Sequence, residues 1–153
     1  MASWHEIEAA VPELAAEARR LLEAHTHLTL ATLRSDGAPR ISGTEKKFVE
    51  GELYIGSMWQ AVKARDLQRD PRYALHSGSA DPAVWEGDAK VAGVAEEISD
   101  PAQVLAVNGG DVGPSHLFRL DVHEVVIVHL NDAHDKLVIE SWHQGRGISR
   151  IER

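Results

Sequence analysis

Apolar positions recur at helical spacing near the start of the chain and then switch to alternation. Over residues 12–24 (PELAAEARRLLEA), Leu14, Ala18, Leu21 and Leu22 fall on one stripe and Pro12 suits a first turn, which predicts a helix. His25 and Thr26 end it. HLTLATL (27–33) alternates as a strand does, Asp36-Gly37 is a hairpin turn, and ISGTEKKFV (41–49) is the partner strand. Glu50-Gly51 makes a second tight turn into ELYIGS (52–57). Ser57 with Gln60 has the S-x-x-Q spacing of a capping box, so a helix is expected over 58–70, stopped at Pro71.

Further on, RYALHSGS (72–79) and DAKVAGVAEEI (88–98) read as strands, the second bent near Gly93. Asp100-Pro101 starts a short helix over PAQVLAV, followed by the glycine-rich loop NGGDVGP (108–114). HLFRLDVHEVVIVHL (116–130) is a long strand, NDAHD a turn, KLVIESWH (136–143) another strand, and QGRGISRIER a polar tail. These make six or seven strands, mostly joined as hairpins, with two or three helices. The lack of βαβ alternation argues against a doubly wound sheet; closure into an antiparallel barrel removes the strand edges. The fold class is mainly β with flanking helices, in a single domain over residues 1–153.

Composition narrows the function. The formal charge of −8 opposes general nucleic-acid binding and a polybasic membrane surface, though a local nest of donors can still hold an anion. Cysteine is absent, which excludes disulfides, thiolate metal sites and cysteine nucleophiles. Glutamates 6, 8, 13 and 17 occupy the place of a signal peptide's basic and apolar regions, and no apolar run reaches the ~20 residues of a membrane span. A cytoplasmic protein is expected.

Candidate chemistry is sparse. The stretch 57–65 combines a helix start, Ser57, Lys63 and Arg65; it reads either as a phosphate grip or as a capped surface helix with solvated cations. The nine histidines show no metal-ligand spacing; His123 and His129 share a strand face but lie roughly 20 Å apart. No nucleophile elbow or nucleotide P-loop is present. Trp59, Trp85 and Trp142 could pack in a core or interface, or line a flat-ring pocket with Arg146 nearby.

Three stretches together resemble the pyridoxamine 5'-phosphate oxidase-like, FMN-binding split-barrel superfamily. They are HLTLATLRSDGAPRIS (27–42), like its opening hairpin; GELYIGSMWQAVKARDLQRDPRYAL (51–75), like its strand, K-x-x-x-L-x-x-x-P helix and strand; and residues 116–147, like its closing hairpin and terminal tryptophan-glycine segment. The resemblance implies an antiparallel split β-barrel, a homodimer with cofactor sites at the subunit interface, and a lysine of the helix after the third strand holding the flavin phosphate, which is Lys63 here. By the same resemblance Arg65 and Ser57 assist at the phosphate, and Arg40, Ile41, Ser42 and Thr44 line the ring system. Ile55 and Gly56 lie near the phosphate and ribityl chain, and Trp142 and Arg146 approach in the dimer.

One departure matters. Where the oxidases place Ser-Arg before the helix lysine, this chain has Ala61-Val62, so one phosphate donor and one cation are missing. QGRGISRIER also matches the oxidases' substrate-recognising end poorly, which argues against true pyridoxamine phosphate oxidase activity. The expectation is an oxidoreductase moving a hydride between FMN or the deazaflavin coenzyme F-420 and a small organic acceptor. The alternative is a non-catalytic flavin or haem carrier of the same fold.

Overall fold

The turn Arg34–Ala38 begins the architecture: Gly37 takes φ 86°, Asp36 Oδ1 accepts from the Ala38 amide at 2.9 Å, and two strands leave it antiparallel. They are β1 (His27–Leu33) and β2 (Pro39–Val49) in a computed structural model that describes residues 2–153. Leu28, Leu30 and Thr32 of β1 point inward while Thr29 faces out, as strand alternation requires. β3 (Glu52–Met58) follows β2 through Glu50-Gly51. β4 (Arg72–His76) pairs with β1, and β5 (Asp88–Glu97) with β4. The long β6 (Ser115–Leu130) pairs with β5 and, through its first residues, with β3. That last pairing closes a six-stranded antiparallel barrel, leaving β7 (Leu137–His143) and β8 (Gly147–Glu152) as a ribbon extending from β6.

Four helices flank it: α1 (Trp4–Ala10), α2 (Pro12–Glu23), α3 (Val62–Arg69) and α4 (Pro101–Asn108). α2 buries Leu14, Ala15, Ala18, Leu21 and Leu22 against β5, β6 and β7. The main core joins these to Leu30, Leu53, Ile55, Leu75, Phe118 and Leu120 of the barrel. Among the described residues no helix is long and apolar enough to cross a membrane.

Three expectations change. The Ser57–Gln60 capping box does not form: Ser57 stays in β3, paired with His116, so its backbone is committed to the ladder and cannot cap a helix. Gln60 instead takes φ 63°, and α3 starts four residues later than expected, after Ala61 and without a side-chain cap. The polar tail is the edge strand β8, wet on every residue and therefore without an apolar period. The strand expected over 72–79 ends at His76. The sequence reading also missed α1, whose Ser3 and Glu6 do form a capping box.

Candidate functional site

Helix α3 is fastened to the barrel by an acid. Ala64, Asp66 and Leu67 make its buried face. The Asp66 carboxylate accepts from Arg40 Nε at 2.6 Å, from Thr32 Oγ1 at 2.8 Å and from an Arg69 guanidinium nitrogen at 3.0 Å. Burial alone would push its pKa up; the Arg40, Arg69 and Thr32 hydrogen bonds outweigh that and hold it below the ordinary aspartate value.

That anchorage puts the first turn of α3 beside the ends of β2 and β3. There Lys63 Nζ donates to the Gly43 carbonyl at 2.6 Å. Among the described residues no carboxylate lies within ion-pair distance of it, and burial lowers its pKa although Glu45 pulls the other way. The ammonium faces a cleft of about 420 Å³ lined also by Thr44, Gly56, Ser57, Met58 and His116. Thr44 Oγ1 is buried without a hydrogen-bond partner. Gly43 and Gly56 leave the wall open: a Cβ at Gly43 would meet nothing within 4 Å, and at Gly56 only the His116 carbonyl at 4.0 Å. On the far side Lys47 Nζ donates to Asn108 Oδ1 at 2.7 Å.

His116 forms the end wall. Its Nε2 accepts the Gln60 amide at 3.2 Å, which leaves the proton on Nδ1 to be donated to Glu97 at 2.6 Å. Trp59 stacks on its ring with centroids 4.7 Å apart and planes 9° from parallel. A larger cavity of about 530 Å³ lies between α2 and the β6–β8 ribbon, but Glu13, Glu17, Glu86 and Glu140 on its walls oppose an anion. The Lys63 cleft is the candidate site. Lys63 and Lys47, with the hydroxyls of Thr44, Ser57 and Ser115, outweigh the single carboxylate Glu45 on its walls, which suits a phosphate monoester.

Of the residues singled out in the sequence, Thr44, Gly56, Ser57 and Lys63 meet at this cleft. The others lie elsewhere. Arg40 is spent on Asp66, Arg65 donates to Gln60 Oε1 at 2.7 Å, and Ile55 is in the barrel core. Ser42 is half-buried on β2, and Ile41 projects outward, 75% exposed. Trp142 packs into the core from β7, while Arg146 sits exposed in the β7–β8 turn. The sequence reading missed Lys47, Asn108 and the His116–Glu97 pair. Their partners are 61 and 19 residues apart and meet only through the closed barrel.

A six-stranded closed antiparallel barrel with a ribbon extension defines a split-barrel protein. The family model for pyridoxamine 5'-phosphate oxidase matches residues 14–129, and the chain belongs to that family. Solved structures share the fold. A pyridoxamine 5'-phosphate oxidase-related, FMN-binding protein from Nostoc punctiforme is 17% identical with a TM-score of 0.62, over 96% of each chain. PhzG from Burkholderia lata, in complex with tetrahydrophenazine-1-carboxylic acid, is 14% identical with a TM-score of 0.65, over 98% of this chain and 92% of that one. A heme-binding protein from Mycobacterium smegmatis is 18% identical with a TM-score of 0.60, over 90% and 86%. No curated protein matches the chain.

Proposed function

We propose that this protein binds FMN, or the deazaflavin coenzyme F-420, by its phosphate in the Lys63 cleft, and moves a hydride between that cofactor and a small organic acceptor. The observation that carries the reading is Lys63 itself: a half-buried ammonium with no carboxylate in ion-pair distance among the described residues, at an uncapped helix start. A buried cation is ordinarily paired, and an anionic ligand is the pairing this cleft lacks. Thr44 Oγ1 and Ser57 Oγ are the hydroxyls that would complete the grip, and Gly43 and Gly56 give a phosphate close approach to backbone. Without the Ser-Arg pair of the oxidases, the positive charge of the cleft comes from Lys63 and from Lys47 across it.

The bound cofactor's ring supplies the hydride chemistry; the chain binds, orients and excludes water. A second copy of the chain fits this reading. The outward face of β1, β2 and β4 carries Ala31, Ile41 and Ala74, an apolar surface another copy would cover.

The test is titration of the apo-protein with FMN and with F-420, followed by fluorescence, in wild type and Lys63→Ala. Binding of either cofactor that Lys63→Ala weakens supports the reading. Binding of neither, or equal affinity in the variant, overturns it.

A further inference from the structure

We infer that Trp59, with Arg65 held by the neighbouring Gln60, is a preformed stacking platform for a flat aromatic carboxylate next to the Lys63 cleft. A single exposed apolar residue is ordinary on a protein surface, and Trp59 at 57% exposure would carry nothing by that alone. Its fixity sets it apart. The inner face of the indole lies on His116, whose ring is buried and held at both nitrogens by Gln60 and Glu97, and Phe118 lies beneath His116 with centroids 6.3 Å apart. The outer face remains open to solvent. The conformational entropy of ordering this side chain is therefore spent before a ligand arrives.

The surroundings specify the ligand. The turn that presents Trp59 holds Gln60 at φ 63°, a left-handed conformation a glutamine adopts at some cost. Met58 and Val62 lie near it in sequence, 83% and 53% exposed, and Met58 also lines the cleft. A polarisable indole face prefers another π-system to a saturated ring. The guanidinium of Arg65 is steadied by Gln60 Oε1 and has no carboxylate within ion-pair distance among the described residues, which fits one anionic substituent. Identifying this ligand as the hydride acceptor rests on the flavin reading; the platform does not.

The probes are 2-naphthoate, cyclohexanecarboxylate and 2-naphthalenemethanol, titrated calorimetrically into wild type, Trp59→Phe, Trp59→Ala and Arg65→Gln, with FMN titrated in parallel. The expected result is that 2-naphthoate binds wild type and Trp59→Phe alike and Trp59→Ala about tenfold or more weakly. Cyclohexanecarboxylate binds wild type far more weakly than 2-naphthoate does. Arg65→Gln weakens 2-naphthoate but not the uncharged alcohol. Equal 2-naphthoate affinity in wild type and Trp59→Ala, or none in wild type, overturns the platform even where FMN binds. Trp59-dependent 2-naphthoate binding where neither FMN nor F-420 binds overturns the cofactor reading and leaves the platform standing.

Discussion

Arg40 on β2 and Asp66 on α3 form a buried ion pair, Nε to Oδ2 at 2.6 Å, with the aspartate side chain only 2% exposed. This contact fixes the helix that carries Lys63 against the strand that carries Gly43 and Thr44. It also accounts for Arg40, which the family resemblance had placed at the flavin ring and which here serves the scaffold. Removing one partner of such a pair leaves the other charge uncompensated. Asp66→Ala is expected to cost about 3–5 kcal/mol in urea denaturation, against under about 1 kcal/mol for the more exposed Arg69→Ala. A loss in Asp66→Ala no larger than in Arg69→Ala would contradict this anchoring role.

Lys63 should behave as a functional cost to the fold. Because burial lowers its pKa below the ordinary 10.5, the folded state disfavours the ammonium, and that penalty operates at every pH below the folded pKa and vanishes above 10.5. Lys63→Met is therefore expected to leave the melting temperature at neutral pH unchanged or raised while weakening FMN by about tenfold or more. A lysine needed only for structure would give the opposite pairing, a lower melting temperature with cofactor affinity intact.

The same shift gives the binding a pH signature. Phosphate contact requires the protonated amine, so wild-type affinity for FMN should fall as pH rises through the Lys63 pKa, starting below 10.5. In Lys63→Arg the guanidinium stays charged and the decline should disappear. Calorimetric titrations across the alkaline range would show it, and an identical decline in both proteins would assign the titration elsewhere.

Local chemistry made much of this fold legible. The Asp36-Gly37 hairpin, the α2 stripe and the Asp100-Pro101 helix start are each specified by residues adjacent in sequence, and each forms. The start of α3 was misread because Ser57 and Gln60 have the right spacing for a cap, but pairing of Ser57 with His116, 59 positions away, overrides it. β8 was hidden because neither of its faces is buried, so it has no apolar period to read. At the site, Lys63 and Ser57 were visible in one short stretch. Glu97 and Trp59 reach His116 only once the barrel closes, and nothing in their local sequence announces that.

His129 provides a test of stability alone. Burial pulls its pKa down, but donation from Nδ1 to the Leu130 carbonyl at 2.8 Å and the Glu140 carboxylate 3.1 Å from Nε2 together raise it above 6.5. A raised folded pKa means the contribution is complete below pH 6.5 and is lost as pH rises through the folded value. Thermal melts from pH 5.5 to 8.5 should show wild type losing more stability over that span than His129→Gln. Parallel curves would remove His129 from the balance.

Two glycines separate scaffold from site. At Gly93 the β5–β6 register shifts, and a Cβ there would lie 1.9 Å from the Asp121 carbonyl oxygen and 3.1 Å from the Val122 Cα. Both are backbone, so neither can swing aside; the strands must part. Gly93→Ala is expected to cost about 3 kcal/mol or more, measured by denaturant titration. At Gly56 the nearest atom to a new Cβ is 4.0 Å away, so Gly56→Ala should fold with near wild-type stability. Its methyl would instead project at the wall of the Lys63 cleft and hold a phosphate off the backbone, weakening FMN without unfolding the chain. Gly56→Ala that binds FMN as wild type does would place the cofactor away from β3, whereas the Gly93 result depends only on how closely β5 and β6 approach.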